Sequence, residues 1–175
     1  VDQAYATWSN IADQPIWVSV GRRPSTGGVP GTLRQNVEKP GTAGVPNFLI
    51  DYAFDGLTIG VAPDIEALPG AYVKVCYGKG FDSGFRHLFN NIRDVNMLGV
   101  NVVPYDTDNL HLELQWNRAF DIFDNMPDLG VRTNLGDIDQ YGLLVMGKIN
   151  NVGPGDLNLF AAGGISKTHP NNNMF

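Results

Sequence analysis

The chain has little that would support covalent chemistry or a crosslinked fold. Its 175 residues include a single cysteine, Cys76, and only 17% of them are charged. One cysteine excludes an internal disulfide framework and a zinc site built from several cysteines. No run of about 18 apolar residues is present, which excludes a membrane-spanning helix but not a β-barrel, whose strands alternate in polarity. The largest basic cluster is the pair Arg22 and Arg23, and the net charge is −6, so a nucleic-acid partner is not expected.

Catalytic and metal-binding motifs are also missing. The sequence has no His-Glu-x-x-His, no Gly-x-x-x-x-Gly-Lys-Ser/Thr loop and no Gly-x-Ser-x-Gly elbow. The three histidines, His87, His111 and His169, lie far apart in sequence. The stretch Asp106–Asn109 lacks the spacing and the final glutamate of a calcium-binding EF-hand loop, so we expect a turn there. The sequence therefore predicts no enzyme, no cofactor and no metal site.

What the chain does contain is enough apolar and turn-forming residues for one domain over 1–175. Apolar residues make up 43% of it, which excludes a disordered tail, and 21 residues are glycine. Low charge combined with abundant glycine suggests that much of the surface faces something other than water. A secreted all-β domain with the same bias is the alternative.

Alternating polarity is the strongest pattern in the sequence. Leu110–Trp116 alternates apolar and polar residues without a break, which indicates a strand with one apolar and one polar face. Similar strand-like runs occur at 5–11, 16–23, 47–61, 70–78, 95–105, 110–120, 138–149 and 157–167. The connections alternate between short turns (12–15, 62–69, 106–109, 150–156) and long loops (24–46, 79–94, 121–137, and from 168). We therefore predict an all-β, antiparallel up-and-down meander of about eight strands, forming part of a transmembrane β-barrel.

Two local features qualify this prediction. The apolar residues of 82–92 recur with helical spacing after Asp82 and Ser83, which predicts one short loop helix. Within 47–61 the apolar positions change phase at Asp55 and Gly56. This dipeptide is either a two-residue hairpin turn or a bulge inside one long strand. The bulge keeps the alternation of short and long connections, and we favour it.

The alternation also assigns side chains to a lumen. If Leu110, Leu112 and Leu114 face lipid, the residues between them face inward, and the same logic puts Lys74 and either Arg22 or Arg23 on the polar side. The pore-lining candidates are Arg22, Arg23, Lys74, His111, Glu113 and Gln115. An arginine pair at a loop base suggests an anion-favouring constriction. The alternative is that these charges pair with one another across strands.

Aromatic residues lie near the ends of several predicted strands. Amphipathic rings at strand ends suit the interfaces of a membrane, although cross-strand packing places aromatics there equally well. The residues concerned are Trp8, Trp17, Tyr77, Tyr105, Trp116 and Tyr141. Lys148, one residue from a predicted strand end, suits a side chain that extends to the interface.

Three segments carry a resemblance to a known family. Trp17–Gly28 resembles a strand that leads into a loop in bacterial porin-like proteins. Together with Asp51–Leu57 and Gly163–Pro170, it is similar to an uncharacterised outer-membrane β-barrel porin family of Geobacter-like bacteria. The resemblance implies a barrel several times larger than eight strands, of which this chain is an internal fragment. It supplies no catalytic residue.

These observations lead to two functional expectations. The first is a channel fragment in the bacterial outer membrane that allows passive diffusion of small polar solutes or ions. Its partners are outer-membrane lipid, the solutes, and either a second copy or the remainder of its own longer chain. The second is a soluble secreted β-sandwich that binds carbohydrate or acts in adhesion, with Trp8, Trp17 and Trp116 stacking on sugars. Trp116 shares its face with leucines, which argues for burial instead.

Overall fold

Alternating residues in the sequence become the two faces of a single antiparallel sheet. The computed structural model describes residues 4–23, 49, 54–81, 94–124 and 133–171. Within these ranges the strands are β1 (Ala4–Trp8), β2 (Ile16–Arg23), β3 (Phe54–Val61), β4 (Tyr72–Phe81), β5 (Val95–Asp106), β6 (Leu110–Phe123), β7 (Asn134–Val152) and β8 (Gly155–Pro170). One turn of 3-10 helix, Ile11–Asp13, lies between β1 and β2.

Each strand pairs with the next one in the chain. The order in the sheet is β1 to β8, and all seven pairings are antiparallel. This confirms the predicted all-β, up-and-down meander of eight strands. In the part of the chain that the structure describes, β1 and β8 do not pair with each other, so the sheet is open.

Connection lengths follow the predicted alternation. Short connections at 9–15, 62–71, 107–109 and 153–154 form one end of the sheet, which we call the short-turn end. Connections at 24–53, 82–94 and 124–133 lie at the other end, the long-loop end, and each is longer than the short connections on either side of it in the chain. Strands β4, β6 and β7 extend further toward that end than the periodicity predicted, because their backbone pairing continues where the apolar alternation has stopped. The predicted loop helix, 82–92, lies outside the described residues and stays a prediction.

The change of phase in the apolar pattern at Asp55 and Gly56 involves neither a hairpin turn nor a bulge. Strand β3 runs through both residues, and its register with β2 and β4 is continuous there. The hairpin turn and the favoured bulge at these positions are therefore both wrong. The apolar pattern changes because Phe54 lies on the opposite face from Leu57 and borders a cavity there.

The two faces of the sheet have opposite polarity. One face, called the outer face, carries half-exposed apolar side chains that we call the apolar band: Val20, Leu57, Ile59, Val61, Val73, Val75, Leu110, Leu114 and Leu143, all 37–47% exposed. The inner face carries polar side chains that are at most 6% exposed: Ser19, Thr58, Lys74, Asn101, His111, Glu113, Gln115 and Asn117. This arrangement is the reverse of a sheet with one face in water and the other on an apolar core.

The sheet curls toward its inner face. Leu49 lies against Gly164 of β8, since a β-carbon at Gly164 would come within 3.0 Å of Leu49 Cδ2. Gly164 is in the same cross-strand row as Gly60 of β3. In a flat sheet it would therefore lie about 24 Å across and about 20 Å along from Phe54. The five residues from Leu49 to Phe54 reach only about 17 Å, so the inner face is concave.

Little conventional apolar core exists in the described part of the chain. Its buried apolar side chains are Ala71, Val95, Val103, Phe123 and Leu144, of which only Val103 and Leu144 have no exposed surface. Val95 and Phe123 form a small cluster with Ala119 and Ile122 near the long-loop end. The polar inner face, rather than an apolar core, is thus the main buried region of the sheet.

A row of glycines lets the backbones of β3 and β4 approach closely. A β-carbon at Gly56 would lie 2.2 Å from the carbonyl oxygen of Tyr77. We expect Gly56→Ala to lower the free energy of unfolding by about 1–3 kcal/mol, because the strands must separate. Urea unfolding in detergent measures this. The matched control is Gly147→Ala in β7, where nothing lies within 4 Å; an equal loss in both variants would contradict the close-approach explanation.

Candidate functional site

The sheet register assembles a cluster of polar side chains on the inner face. Lys74 of β4, Asn101 of β5 and Gln115 of β6 lie directly opposite one another. We call the inner polar cluster the six residues Lys74, Asn101, His111, Glu113, Gln115 and Asn117. Four of the six predicted pore-lining residues, Lys74, His111, Glu113 and Gln115, are therefore brought together on one face, 0–6% exposed.

Glu113 is the centre of this cluster. Its side chain is fully buried, and its carboxylate accepts a hydrogen bond from Asn101 Nδ2. His111 Nε2 lies 3.3 Å from the second carboxylate oxygen, and His111 Nδ1 lies 2.9 Å from Asp106 Oδ1. A buried carboxylate is tolerated only where polar partners replace its hydration. The alternation of β6 supplies one such partner, and the pairing with β5 supplies the other.

Lys74 and two aromatic rings form the adjacent part of the inner face. Lys74 Nζ lies 5.5 Å from the centroid of the Tyr72 ring, within the range of a cation–π contact. Trp17 meets Tyr72 edge to face, with centroids 6.2 Å apart, and covers Gly60. For Trp17, the structure therefore shows cross-strand packing and not a position at a membrane interface.

Unpartnered amide groups border a small cavity in the cluster. Asn101 Oδ1, Gln115 Oε1 and Asn117 Nδ2 are buried and have no hydrogen-bond partner among the described residues. All three side chains line a cavity of about 30 Å³, together with Lys74 and Cys76. The exposed lining of this cavity is mainly apolar, and the three amide atoms are buried in its wall. The inner face thus holds buried polar atoms whose hydrogen bonds are not made among the described residues.

The two candidate arginines do not join this cluster as a pair. Arg22 lies on the outer face and forms a two-pronged ion pair with Asp55, with N···O distances of 2.8 and 2.7 Å. The sequence signal for this position was the spacing of two residues between Val18, Val20 and Arg22, which places all three on the same face of β2. The side chain of Arg23 lies outside the described residues. An anion-favouring constriction built on Arg22 is therefore not formed.

A second cluster lies on the outer face, between the apolar band and the long-loop end. We call it the outer ion cluster: Arg118, Asp137, Asp139 and His169. Arg118 donates to Asp137 at 2.9 Å, and His169 Nε2 lies 2.8 Å from Asp139. Beside the cluster, β6 has an irregularity at Asp121, whose φ is +56° and whose N–H donates to Asp137.

Sequence reasoning missed this cluster. The available signal was parity, because Arg118 and Asp139 occupy positions in their strands that are otherwise apolar. Trp116, one of the predicted interface aromatics, donates its indole N–H to Asp139 at 3.1 Å. Burial raises the pKa of Asp139, but the hydrogen bonds from His169 and Trp116 and the charge of Arg118 outweigh it, so the pKa lies below its ordinary value.

The other candidate residues that the sequence suggested do not form a common binding site. The three tryptophans do not lie on one common face, since Trp17 lies on the inner face, whereas Trp8 and Trp116 lie on the outer face of β1 and β6. Lys148 forms an ion pair with Asp156 at 2.9 Å. Within the described ranges, no group of three His, Cys, Asp or Glu side chains is placed to hold a metal ion. No helix there is long and apolar enough to cross a membrane.

Comparison with known proteins gives one result. A family model described as "Protein of unknown function (DUF3373)" matches residues 1–175. No curated protein and no solved structure matches the chain.

The lowered pKa of Asp139 leads to a prediction for acid stability. A carboxylate whose pKa is depressed by folding adds stability above its unfolded pKa of about 4, and this stability is lost as the pH falls through that value toward the folded one. The free energy of unfolding in detergent should therefore fall below about pH 4, and less steeply in Asp139→Asn. Parallel curves for wild type and variant between pH 7 and pH 3 would show that Asp139 is not a source of the acid sensitivity.

Proposed function

We propose the following function for this chain, which belongs to the DUF3373 family: it forms part of a β-barrel channel in the bacterial outer membrane. Small polar solutes or ions diffuse passively along its inner face, and no covalent chemistry takes place. Its partners are the lipid around the outer face and the solutes inside. The observation that carries this proposal is the reversed polarity of a curled sheet.

The distribution of exposed side chains supports a lipid-facing outer surface. On β4, Val73 and Val75 are 37% and 43% exposed, whereas Lys74 between them is 6% exposed. In water, such a strand would bury its valines and expose its lysine. Lipid on the outside and polar groups with water on the inside make the observed arrangement favourable.

The apolar band also runs obliquely across the sheet, as it does on tilted strands. One row of cross-strand partners on the outer face runs from Val20 on β2 through Leu57 on β3 to Leu98 on β5, and these residues are apolar. On β6 and β7 the same row continues with the charged residues Arg118 and Asp139. Nearer the short turns, the band includes Leu110 of β6, and β7 and β8 carry further apolar outer residues: Ile149, Leu157 and Leu159. Strands of a barrel tilt by about 35–45°, so a membrane plane crosses hydrogen-bonded rows at an angle.

Amphipathic rings lie where this band meets polar groups. Trp116 and Tyr141 are direct cross-strand partners on the outer face, and the Trp116 indole N–H reaches from the band to Asp139. Toward the short-turn end, the Tyr105 hydroxyl donates to the carbonyl of Ala67 at 3.1 Å. Trp and Tyr favour such positions because each combines an apolar body with a polar tip.

The connections favour an orientation, and the sheet edges favour a larger assembly. Outer-membrane barrels have short periplasmic turns and longer extracellular loops, so the long-loop end is proposed to face outward. Strands β1 and β8 have open edges among the described residues. Because open edges are not stable in lipid, we propose that further strands of a longer chain, or a second copy, pair with them.

The first test uses the full-length protein refolded in mild detergent. We expect the unheated protein to run compactly on a gel and to shift on boiling, because a closed barrel resists the detergent. In planar bilayers the same sample should give single-channel conductance. A monomer that stays soluble in plain buffer without detergent, shows no heat shift and gives no conductance would refute the proposal.

A second test places a charge in the apolar band. Val75→Arg should lower the stability in lipid vesicles by about 2–4 kcal/mol, since Val75 then exposes a cation to hydrocarbon. A half-exposed valine of a water-soluble sheet would tolerate the change within about 0.5 kcal/mol. Asn96→Arg is the matched control, because Asn96 lies on the outer face beyond the band. Equal stability of both variants would contradict a lipid-facing band.

A further inference from the structure

Acidic residues outnumber basic ones at the short-turn end of the sheet. Six described acids lie there, against the single cation Lys148: Asp13, Asp64, Glu66, Asp106, Asp108 and Asp156. Lys148 is paired with Asp156, and Asp106 contacts His111. The other four have no ion pair within the described ranges and are exposed. This end, which we call the acidic rim, therefore carries uncompensated negative charge.

The inner face beyond the acidic rim contains buried side-chain oxygen atoms. Asn101 Oδ1 and Gln115 Oε1 border the small cavity without a hydrogen-bond partner among the described residues, although their side chains are only 3% and 5% exposed. Glu113 adds a buried carboxylate between the rim and this cavity. Carbonyl and carboxylate oxygens are the groups that replace the hydration shell of a cation. This observation is independent of the charge at the rim.

The one cation of the inner polar cluster does not reverse the sign of this surface. Lys74 contacts the Tyr72 ring, which also lies close enough to Glu113 for the two to interact electrostatically. Asn101, directly opposite Lys74, hydrogen-bonds to Glu113. The cluster thus holds one lysine and one carboxyl group, whereas the acidic rim holds six acids and one lysine among the described residues.

We infer that the channel passes small cations in preference to anions. The inference rests on the proposed function and names its substrate class. The acidic rim raises the local concentration of cations at one mouth. Beyond the mouth, the inner face carries the buried side chains of Asn101, Gln115 and Glu113, whose oxygen atoms are of the kind that suits a cation. Arg22, which suggested anion selectivity from sequence, is neutralised by Asp55 on the other face.

The test is the reversal potential of the full-length protein in planar bilayers under a KCl gradient. We expect K⁺ to permeate at least about three times better than Cl⁻ near 0.1 M salt, and less selectively at 1 M, where the screening length falls from about 10 Å to about 3 Å. The double variant Asp64→Asn/Glu66→Gln should lose about half of this ratio or more. The matched control, Asp55→Asn/Asp94→Asn, changes the net charge equally at the long-loop end and should leave the ratio unchanged.

The possible results distinguish the proposed ion preference from the proposed channel function. Conductance with no preference for K⁺, with a preference for Cl⁻, or with equal losses in both double variants would overturn cation selection by the acidic rim and leave the channel intact. A heat-modifiable protein that gives no conductance at all would overturn the proposed function itself. Selectivity that falls only in the rim variant supports the inference. The gel shift of each variant establishes beforehand that it has folded.

Discussion

The alternation of side chains across the pleat is the constraint on which the remainder of this structure depends. Successive residues point to opposite faces, so a slip of one residue in register would move Lys74 and Glu113 outward and the valines of β4 inward. The sheet avoids this through contacts that only one register allows. Asn101 reaches Glu113 across β5 and β6, and Gly56 sits against the backbone of β4. Register and polarity are thus determined together.

Burying polar groups in place of an apolar core gives this fold an unusual energetic basis. A buried amide or carboxylate contributes stability only when its hydrogen bonds are made, and most of those in the inner polar cluster are. The exceptions are the unpartnered oxygens of Asn101 and Gln115 and the unpartnered amide nitrogen of Asn117, and all three side chains border the cavity. Polar groups left available inside a concave face are costly for a soluble domain but are what a water-filled passage uses.

The outer face keeps its charged groups apart from its apolar band. Charged groups appear there only beyond the apolar band, and three ion pairs form among them: Arg22 with Asp55, Lys79 with Asp94, and Arg118 with Asp137. The short-turn end differs, because most of its acids have no such partner. The two ends of the sheet therefore differ electrostatically as well as in the length of their connections. This difference underlies both the proposed orientation and the proposed ion preference.

The sequence by itself determined what depends on neighbouring residues. Unbroken alternation at Leu110–Trp116 placed His111, Glu113 and Gln115 on one face, and the spacing of turns predicted eight strands and their alternating connections. It did not determine which strands bring Asn101 to Glu113, or that His169 meets Asp139 thirty positions away. Nor did it reveal the curl that makes the inner face concave. The physical reason is that polarity patterns are local, whereas register, curvature and the pairing of distant charges arise only when strands lie side by side.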